Sequence, residues 1–355
     1  MFQRKYFLLV FFLFQIIGLQ VLKFFPEFVE NLYSNSIYQK ISNFSRFTVG
    51  KIPFSIGDCV YAILILLIIR WFYKIRKSWK TSRKNNFIQI ISAISIFYFL
   101  FHTLWAFNYY RVPLFEKMKI ERDYSDKDLL DFTNKLILKT NEIQFQITKN
   151  DSAKVIYPYN HEQTFAMDLN GYKNLSKEYP FFEYKNSSIK KSLFSLPLTY
   201  MGFGGYLNPF TNEAQVNSLM PIYDLPMTSN HEMAHQMGFG SESECNFIGF
   251  LASIKNDDLY CKYSGYSSAL RYCLSNWEAR NPDILKKLLK KVNVGILKNY
   301  DESEIFWDEY ETPIETFFKF VYDNFLKMNQ QKDGLESYSK YVNLMVNFYK
   351  NKNLE

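Results

Sequence analysis

Apolar side chains crowd into three long runs near the start of the chain and then thin into periodic patterns. The runs are "YFLLVFFLFQIIGLQVLKFF" (residues 6–25), "CVYAILILLIIRWFY" (59–73) and "FIQIISAISIFYFLFHTLWAF" (87–107). A helix needs roughly 20 mainly apolar residues to cross the hydrocarbon of a bilayer. The pattern predicts three transmembrane helices, at about residues 6–25, 57–75 and 87–107. The second run is short enough for a buried core helix, and its flank argues against that. The segment "KIRKSWKTSRK" carries Lys74, Arg76, Lys77, Lys80, Arg83 and Lys84 with no acid, the signature of a cytoplasmic loop. Arg4 and Lys5 place the N-terminus on the same side, so the third span delivers everything after Tyr110 to the other side. Trp105, Phe107, Tyr109 and Tyr110 supply an aromatic belt where that span leaves the membrane. No small-residue cleavage site follows the first run, which reads as an uncleaved anchor. The aromatic and polar segment 26–53 is expected in the outer membrane interface, with a plain connecting loop as its alternative.

Beyond residue 110 the spacing becomes that of a folded domain. "SDKDLLDFTNKLILKTN" (125–141) opens on a capping serine and repeats apolar residues at helical intervals. Between residues 147 and 223 come short β-prone pieces, "KVIYPY", "QTFAMDL" and "LPLTYM", with the turn signal "FGGYLNPF"; these predict a small sheet. Asn281 before Pro282, and Thr312 before Pro313, mark two later helix starts. The expectation is a membrane anchor over residues 1–110 and one mainly helical α+β domain, outside the cytoplasm, over 111–355.

Composition sharpens this in three ways. At 48% hydrophobic and 19% aromatic the chain has ample material for a core. The six basic residues of the 74–84 loop nearly account for the net charge of +7, so no basic face remains for a nucleic-acid partner. Of four cysteines, Cys59 sits at a membrane boundary; no CxxC spacing exists, and Cys261 with Cys273 is the expected pair if a disulfide forms.

Two of the four histidines lie in "NHEMAHQMGFGSESECN" (230–246), four apart with a glutamate between them. On a helix, positions four apart share a face, so His231 and His235 can present ring nitrogens to one ion. Glu232 then stands beside that ion as a general base, the HExxH arrangement of zinc hydrolases. The bland alternative is a solvent-facing helix with two unpaired histidines. A catalytic zinc needs a third protein donor. "GFG" (238–240) is a helix stop, after which "ESECNFIGFLAS" starts a second helix. Its polar, small face holds Glu242, Asn246, Gly249 and Ser253. Glu242 is the expected third donor and Glu244 the alternative; about 200° of helix rotation separates them, so both cannot face one ion. Asn246, one turn on, can accept a hydrogen bond from a histidine N–H. A metzincin would carry histidine ten residues after His231, where this chain has Ser241.

Gly204, Gly205 and Tyr206 in "YMGFGGYLNPF" offer an edge strand for an extended peptide, or simply a tight hairpin on the core. Tyr338 and Tyr341 are candidate oxyanion donors with a core role as the alternative, His161 reads as a surface residue, and His102 as a buried group within a span. The motif's surroundings in the sequence are polar and remote from any span, which argues against cleavage within the membrane.

The segments "FNYYRVPL", "YMGFGGYLNPFTNEAQVN", "LPMTSNHEMAHQMGFGSESECNFIGFLA" and "NFLKMNQQKDGLESYSKYVNLMV" make the chain resemble an uncharacterised bacterial family, domain of unknown function 3810, with N-terminal spans and an HExxH motif. The spacing from Glu242 to Asn246 is also similar to the ExxxD helix of glutamate-zincins, with asparagine in place of aspartate. The resemblance implies a zincin-like metallopeptidase that holds Zn²⁺ and hydrolyses peptides or proteins outside the cytoplasmic membrane. A non-catalytic membrane receptor or scaffold retaining a structural zinc is the alternative from a different class.

Overall fold

The computed structural model describes residues 6–331 and 338–354; Arg4 and Lys5 lie outside them. The first apolar run forms α1 (Phe7–Leu22), and the chain then turns sharply ahead of Pro26. A proline cannot continue a preceding helix but suits the first turn of a new one, and here Pro26 opens α2 (Pro26–Phe28). A π-helical segment (Val29–Ile37) and α3 (Tyr38–Val49) carry on from it, bent 105° from α1. Next come α4 (Ile56–Ile75), capped by Ser55 Oγ accepting from the Asp58 N–H, and α5 (Arg83–Leu104). These two helices are long and apolar enough to cross a membrane, and the bent pair makes three if it counts as one span. No protein core covers α4: Ile63, Leu66, Leu67, Ile69 and Phe72 are each more than half exposed, as lipid-facing side chains are. α1 packs along α5 through Gln15, which donates to Ser95 Oγ at 3.0 Å, and through Phe12 against Tyr98.

Residues 26–49 are thus helical throughout and not a plain connecting loop, and they pack on the rest of the protein. Tyr38 is wholly buried, and its hydroxyl donates to the Gln236 carbonyl at 3.0 Å. Ser42 donates to the same oxygen at 3.0 Å. The first helices therefore rest on the segment that carries the two histidines.

The remaining helices are α6 (Leu114–Lys117), α7 (Asp126–Thr148), α8 (His161–Glu178), α9 (Ser195–Tyr200), α10 (Leu225–Gln236), α11 (Glu242–Ile254), α12 (Leu259–Arg280), α13 (Pro282–Leu289), α14 (Val294–Glu309), α15 (Pro313–Met328) and α16 (Tyr338–Phe348). Ser125 and Asp128 close the expected capping box of α7, and Asn281 accepts from two N–H groups at the start of α13. Pro313 begins α15 as expected, although Thr312 makes no capping bond. Trp277, Tyr172, Phe247 and Phe250 lie in one core shared by α7, α8, α10, α11, α12 and α16. A second, smaller cluster joins the first helices to it through Val29, Tyr33, Tyr38, Trp105 and Tyr110.

The sheet is real but lies elsewhere than the β-prone pieces suggest. Its order is β1 (Ile189–Lys191), β3 (Ala214–Val216), β2 (Gly205–Leu207); β3 runs parallel to β1 and antiparallel to β2. "QTFAMDL" instead belongs to α8, where Asn160 and Gln163 form a capping box and Thr164, Asp168, Tyr172 and Leu175 repeat at the buried face. "LPLTYM" lies mainly in α9, and "KVIYPY" is extended without a ladder partner among the described residues. The strands escape a hydropathy reading because β1 buries Lys190, whose Nζ pairs with Glu213 at 2.5 Å.

All four cysteines are free. Cys261 and Cys273 share α12, twelve positions apart, which puts them roughly 18 Å apart along the axis, far beyond the ~7 Å limit for a disulfide.

Candidate metal centre

α10 ends through a hydrogen-bonding pattern that its sequence dictates. Gly238 takes a left-handed φ of +89°, its N–H reaches the His235 carbonyl at 2.9 Å, and the Phe239 N–H reaches back to Ala234 at 3.3 Å. This double closure is the Schellman motif, and it needs glycine at the left-handed position. A Cβ there would also fall 2.8 Å from the Tyr38 ring. The turn sends the chain back so that α11 packs on α10, closely enough that a Cβ on Gly249 would lie 3.0 Å from the His231 nitrogen.

That packing gathers three donors. His231 Nε2 and His235 Nε2 are 3.1 Å apart, and the Glu242 carboxylate lies 3.2 Å from the first and 3.4 Å from the second. Donors held tetrahedrally about 2.0–2.1 Å from one ion sit about 3.3 Å from each other, so the spacing fits zinc. The far sides of both rings are fixed. His235 Nδ1 lies 2.8 Å from the Phe239 carbonyl, which can only accept, so that nitrogen carries the proton and Nε2 keeps its lone pair. His231 Nδ1 lies 2.9 Å from Asn246 Oδ1, the contact expected of Asn246. Two lone pairs and a carboxylate thus face one point, an arrangement that a cation relieves.

Glu232 sits behind this group, 4% exposed, and its Oε2 has no hydrogen-bond partner among the described residues. Burial lifts its carboxyl to about 6 against the pull of both histidines. Its other oxygen faces β2, where a Cβ on Gly205 would lie only 2.8 Å away. Glu244 points elsewhere, as the helical rotation requires: it accepts from the Leu114 N–H at 2.6 Å, and burial pushes its carboxyl up to about 7.

Other groups around the donors gave no sign in the sequence. Tyr322, on α15, donates to Glu242 Oε1 at 2.8 Å, and Trp105, just past α5, donates to the His235 carbonyl at 3.2 Å. Cys245 Sγ lies 3.2 Å from the Phe239 carbonyl. Tyr322 and Trp105 come from distant segments, so no local spacing could reveal them, whereas Cys245 lies within the motif stretch itself. Trp105 also corrects the expectation that the motif is remote from the spans, since the end of α5 touches α10 directly. Tyr341 is buried in the core and takes no part; the side chain of Tyr338 lies outside the described residues. His161 is half-buried at the start of α8, and His102 is buried with Nδ1 2.9 Å from the Tyr98 carbonyl.

A cavity of about 1400 Å³ opens over the donors. Gly204, Gly205 and Tyr206 line it, and β2 is an outer strand of the sheet. The Tyr206 hydroxyl bonds the buried Asp58 carboxylate at the start of α4, which fixes β2 against a candidate span.

Searches among curated proteins and among solved structures return no match. One family model, described as protein of unknown function (DUF3810), matches residues 33–346, a stretch that includes α10, α11, the sheet and α15. The chain therefore belongs to the DUF3810 family.

Proposed function

We propose that the protein is a membrane-anchored, zinc-dependent metallopeptidase, with a zincin-like domain on the outer side of the cytoplasmic membrane. The observation that carries this reading is the convergence of His231, His235 and Glu242 beside a buried Glu232 oxygen that lacks a partner. A structural zinc takes four protein donors, and a catalytic one takes three and keeps a side open. Among the described residues three such donors converge, next to a large cavity, which favours an enzyme over a receptor or scaffold with a structural metal.

Zinc bound there supplies Lewis acidity, acidifying water and polarising a carbonyl oxygen. The protein's own residues do the rest. Glu232, with a carboxyl near 6, is mostly ionised at neutral pH; Oε2 takes a proton from the attacking water and returns it to the departing amine nitrogen. The free edge of β2 holds the substrate extended through backbone hydrogen bonds, and Gly204 and Gly205 keep that approach clear of side chains. Tyr322 stays protonated because burial and the adjacent Glu242 raise its pKa, and its hydroxyl steadies the Glu242 carboxylate by donating to Oε1. The basic 74–84 loop sets the orientation, with the N-terminus cytoplasmic and the substrate peptides or proteins outside.

Glu232→Gln in the full chain is expected to keep wild-type zinc content while losing about 10²- to 10⁴-fold in turnover, whereas His231→Ala loses the metal. The measurement pairs metal analysis with a comparison of peptides released outside wild-type and Glu232→Gln cells. Identical peptide profiles, alongside a clear effect of deleting the whole protein, would replace the enzyme with the scaffold.

A further inference from the structure

α15 presents three distinct faces. Ile314, Phe317, Phe320, Val321 and Met328 fall within an arc of about 120° at 100° per residue. They are 52%, 61%, 67%, 44% and 74% exposed, although every one is large and apolar. A neighbouring stripe is charged and internally paired, Lys319 with Glu315 and Lys327 with Asp323. The third face turns inward. There Tyr322 reaches Glu242, and Phe325 packs at 6.0 Å on Phe101 of α5 and at 6.3 Å on Tyr109. An amphipathic helix whose inner face touches the last turns of a candidate span holds its outer face level with the membrane boundary. That is the arrangement of an interfacial helix, whose apolar face a bilayer can cover.

The same helix is a wall of the cavity. Tyr322 and Phe325 line it from α15, Tyr61 from α4, and Phe97 and Phe101 from α5. Phe97 lies eight residues before Trp105, so the aromatic floor descends roughly 12 Å along α5 from the turn that touches His235. α12 contributes a polar part of the lining, with Ser268, Arg271, Ser275 and Asn276. One cavity is therefore lined by these polar residues, by the three donors and by an aromatic slot whose walls come from α4, α5 and α15.

We infer that this cavity takes its substrate from the bilayer: a peptide carrying an apolar membrane anchor, which passes beneath α15 while the bond to be cut rests at the donors just outside the membrane. The inference rests on the peptidase reading for the bond cleaved, but not for the route of the anchor. An acyl chain and a spanning helix offer the same apolar chemistry to the slot, and the experiment separates them.

Full-length Glu232→Gln protein is placed in phosphatidylethanolamine and phosphatidylglycerol vesicles. It is photolabelled with three diazirine-bearing mixed-sequence peptides: one palmitoylated, one fused to a polyleucine spanning helix, one without an anchor. Labelled residues are mapped by mass spectrometry. Anchored probes are expected to label Phe97, Phe101 and Phe325 at least about tenfold more than the free probe, a difference of one decade in apparent affinity. Phe317→Asp with Phe320→Asp is expected to abolish that preference while zinc content stays unchanged. Preference for the palmitoyl probe alone identifies an acylated peptide as the substrate, and preference for both identifies any juxtamembrane peptide. Equal labelling by all three probes, or anchored labelling confined to the outer surface of α4 around Leu66 and Ile69, overturns the inference. Because the binding readout needs no turnover, a failure of catalysis with slot labelling intact would remove the peptidase and leave the lipid-side route standing.

Discussion

His231 depends on a neutral amide where a carboxylate would bind its N–H more strongly. Asn246→Ala leaves Nδ1 without its acceptor, and zinc affinity is expected to fall about 10- to 100-fold by competition with a chelator. Asn246→Asp restores a stronger acceptor and is expected to hold zinc at least as tightly as the wild type. Gly205 is a second position with little tolerance. A methyl group there would fall 2.7 Å from the Gln215 carbonyl and 2.8 Å from Glu232 Oε1, so Gly205→Ala must displace the Glu232 carboxylate or the strand. The expected result is unchanged zinc content with turnover lowered by at least about tenfold, since small misplacements of a catalytic group are costly. The reading of His231, Glu232, His235, Glu242 and Asn246 needed only helical spacing and a glycine stop, because all five lie within one helix–turn–helix. Tyr322 and Trp105 were out of reach, since each is brought in by tertiary packing from another part of the chain.

At the scale of elements, the segment following Pro26 is locked to the end of α10 by a buried charge cluster. Arg111 binds Glu30 through two nitrogens at 2.7 and 2.8 Å, and its third nitrogen donates to the Gly238 carbonyl at 2.8 Å. Lys117 adds a 2.7 Å contact to the same glutamate. Burial alone would raise the Glu30 carboxyl, yet Arg111 and Lys117 hold it at about 2. A carboxyl depressed in the folded state stabilises the protein above its unfolded pKa, near 4.5, and that contribution is lost as pH falls through about 2. The depression corresponds to about 3 kcal/mol. Wild-type protein should therefore lose stability steeply between pH 4.5 and 2, and Glu30→Gln should show a flatter profile over that range from a lower starting point. Thermal unfolding across pH measures both slopes, and parallel profiles would show that the cluster contributes nothing. The helix starts at Ser125, Asn281 and Pro313 were legible because capping is a local chemistry. The sheet lies within residues 147–223, where it was expected, but its individual strands escaped because they are three residues long and β1 buries Lys190 against Glu213, so hydropathy gave them no weight, while α8 contains residues that also suit strands.

For the molecule as a whole, apolar runs announced helices long and apolar enough to cross a membrane, but not that the first helices would be built into the same structure as the candidate metal centre. Hydropathy registers what meets lipid; Tyr38, Ser42 and Trp105, which meet α10, look like ordinary interface residues in the sequence. A fragment beginning at residue 111 would keep all three metal donors, yet it would strip those partners from the carbonyls of His235 and Gln236 and expose the small core around Tyr38. Such a fragment is expected to bind less than stoichiometric zinc and to lose ordered tertiary structure, as metal analysis and near-ultraviolet circular dichroism would report. Many surface enzymes are cut from their stalks and diffuse away still working. Here the first helices are part of the folded structure around the histidines, so severing the chain near residue 110 is expected to unfold the protein instead of releasing a working fragment.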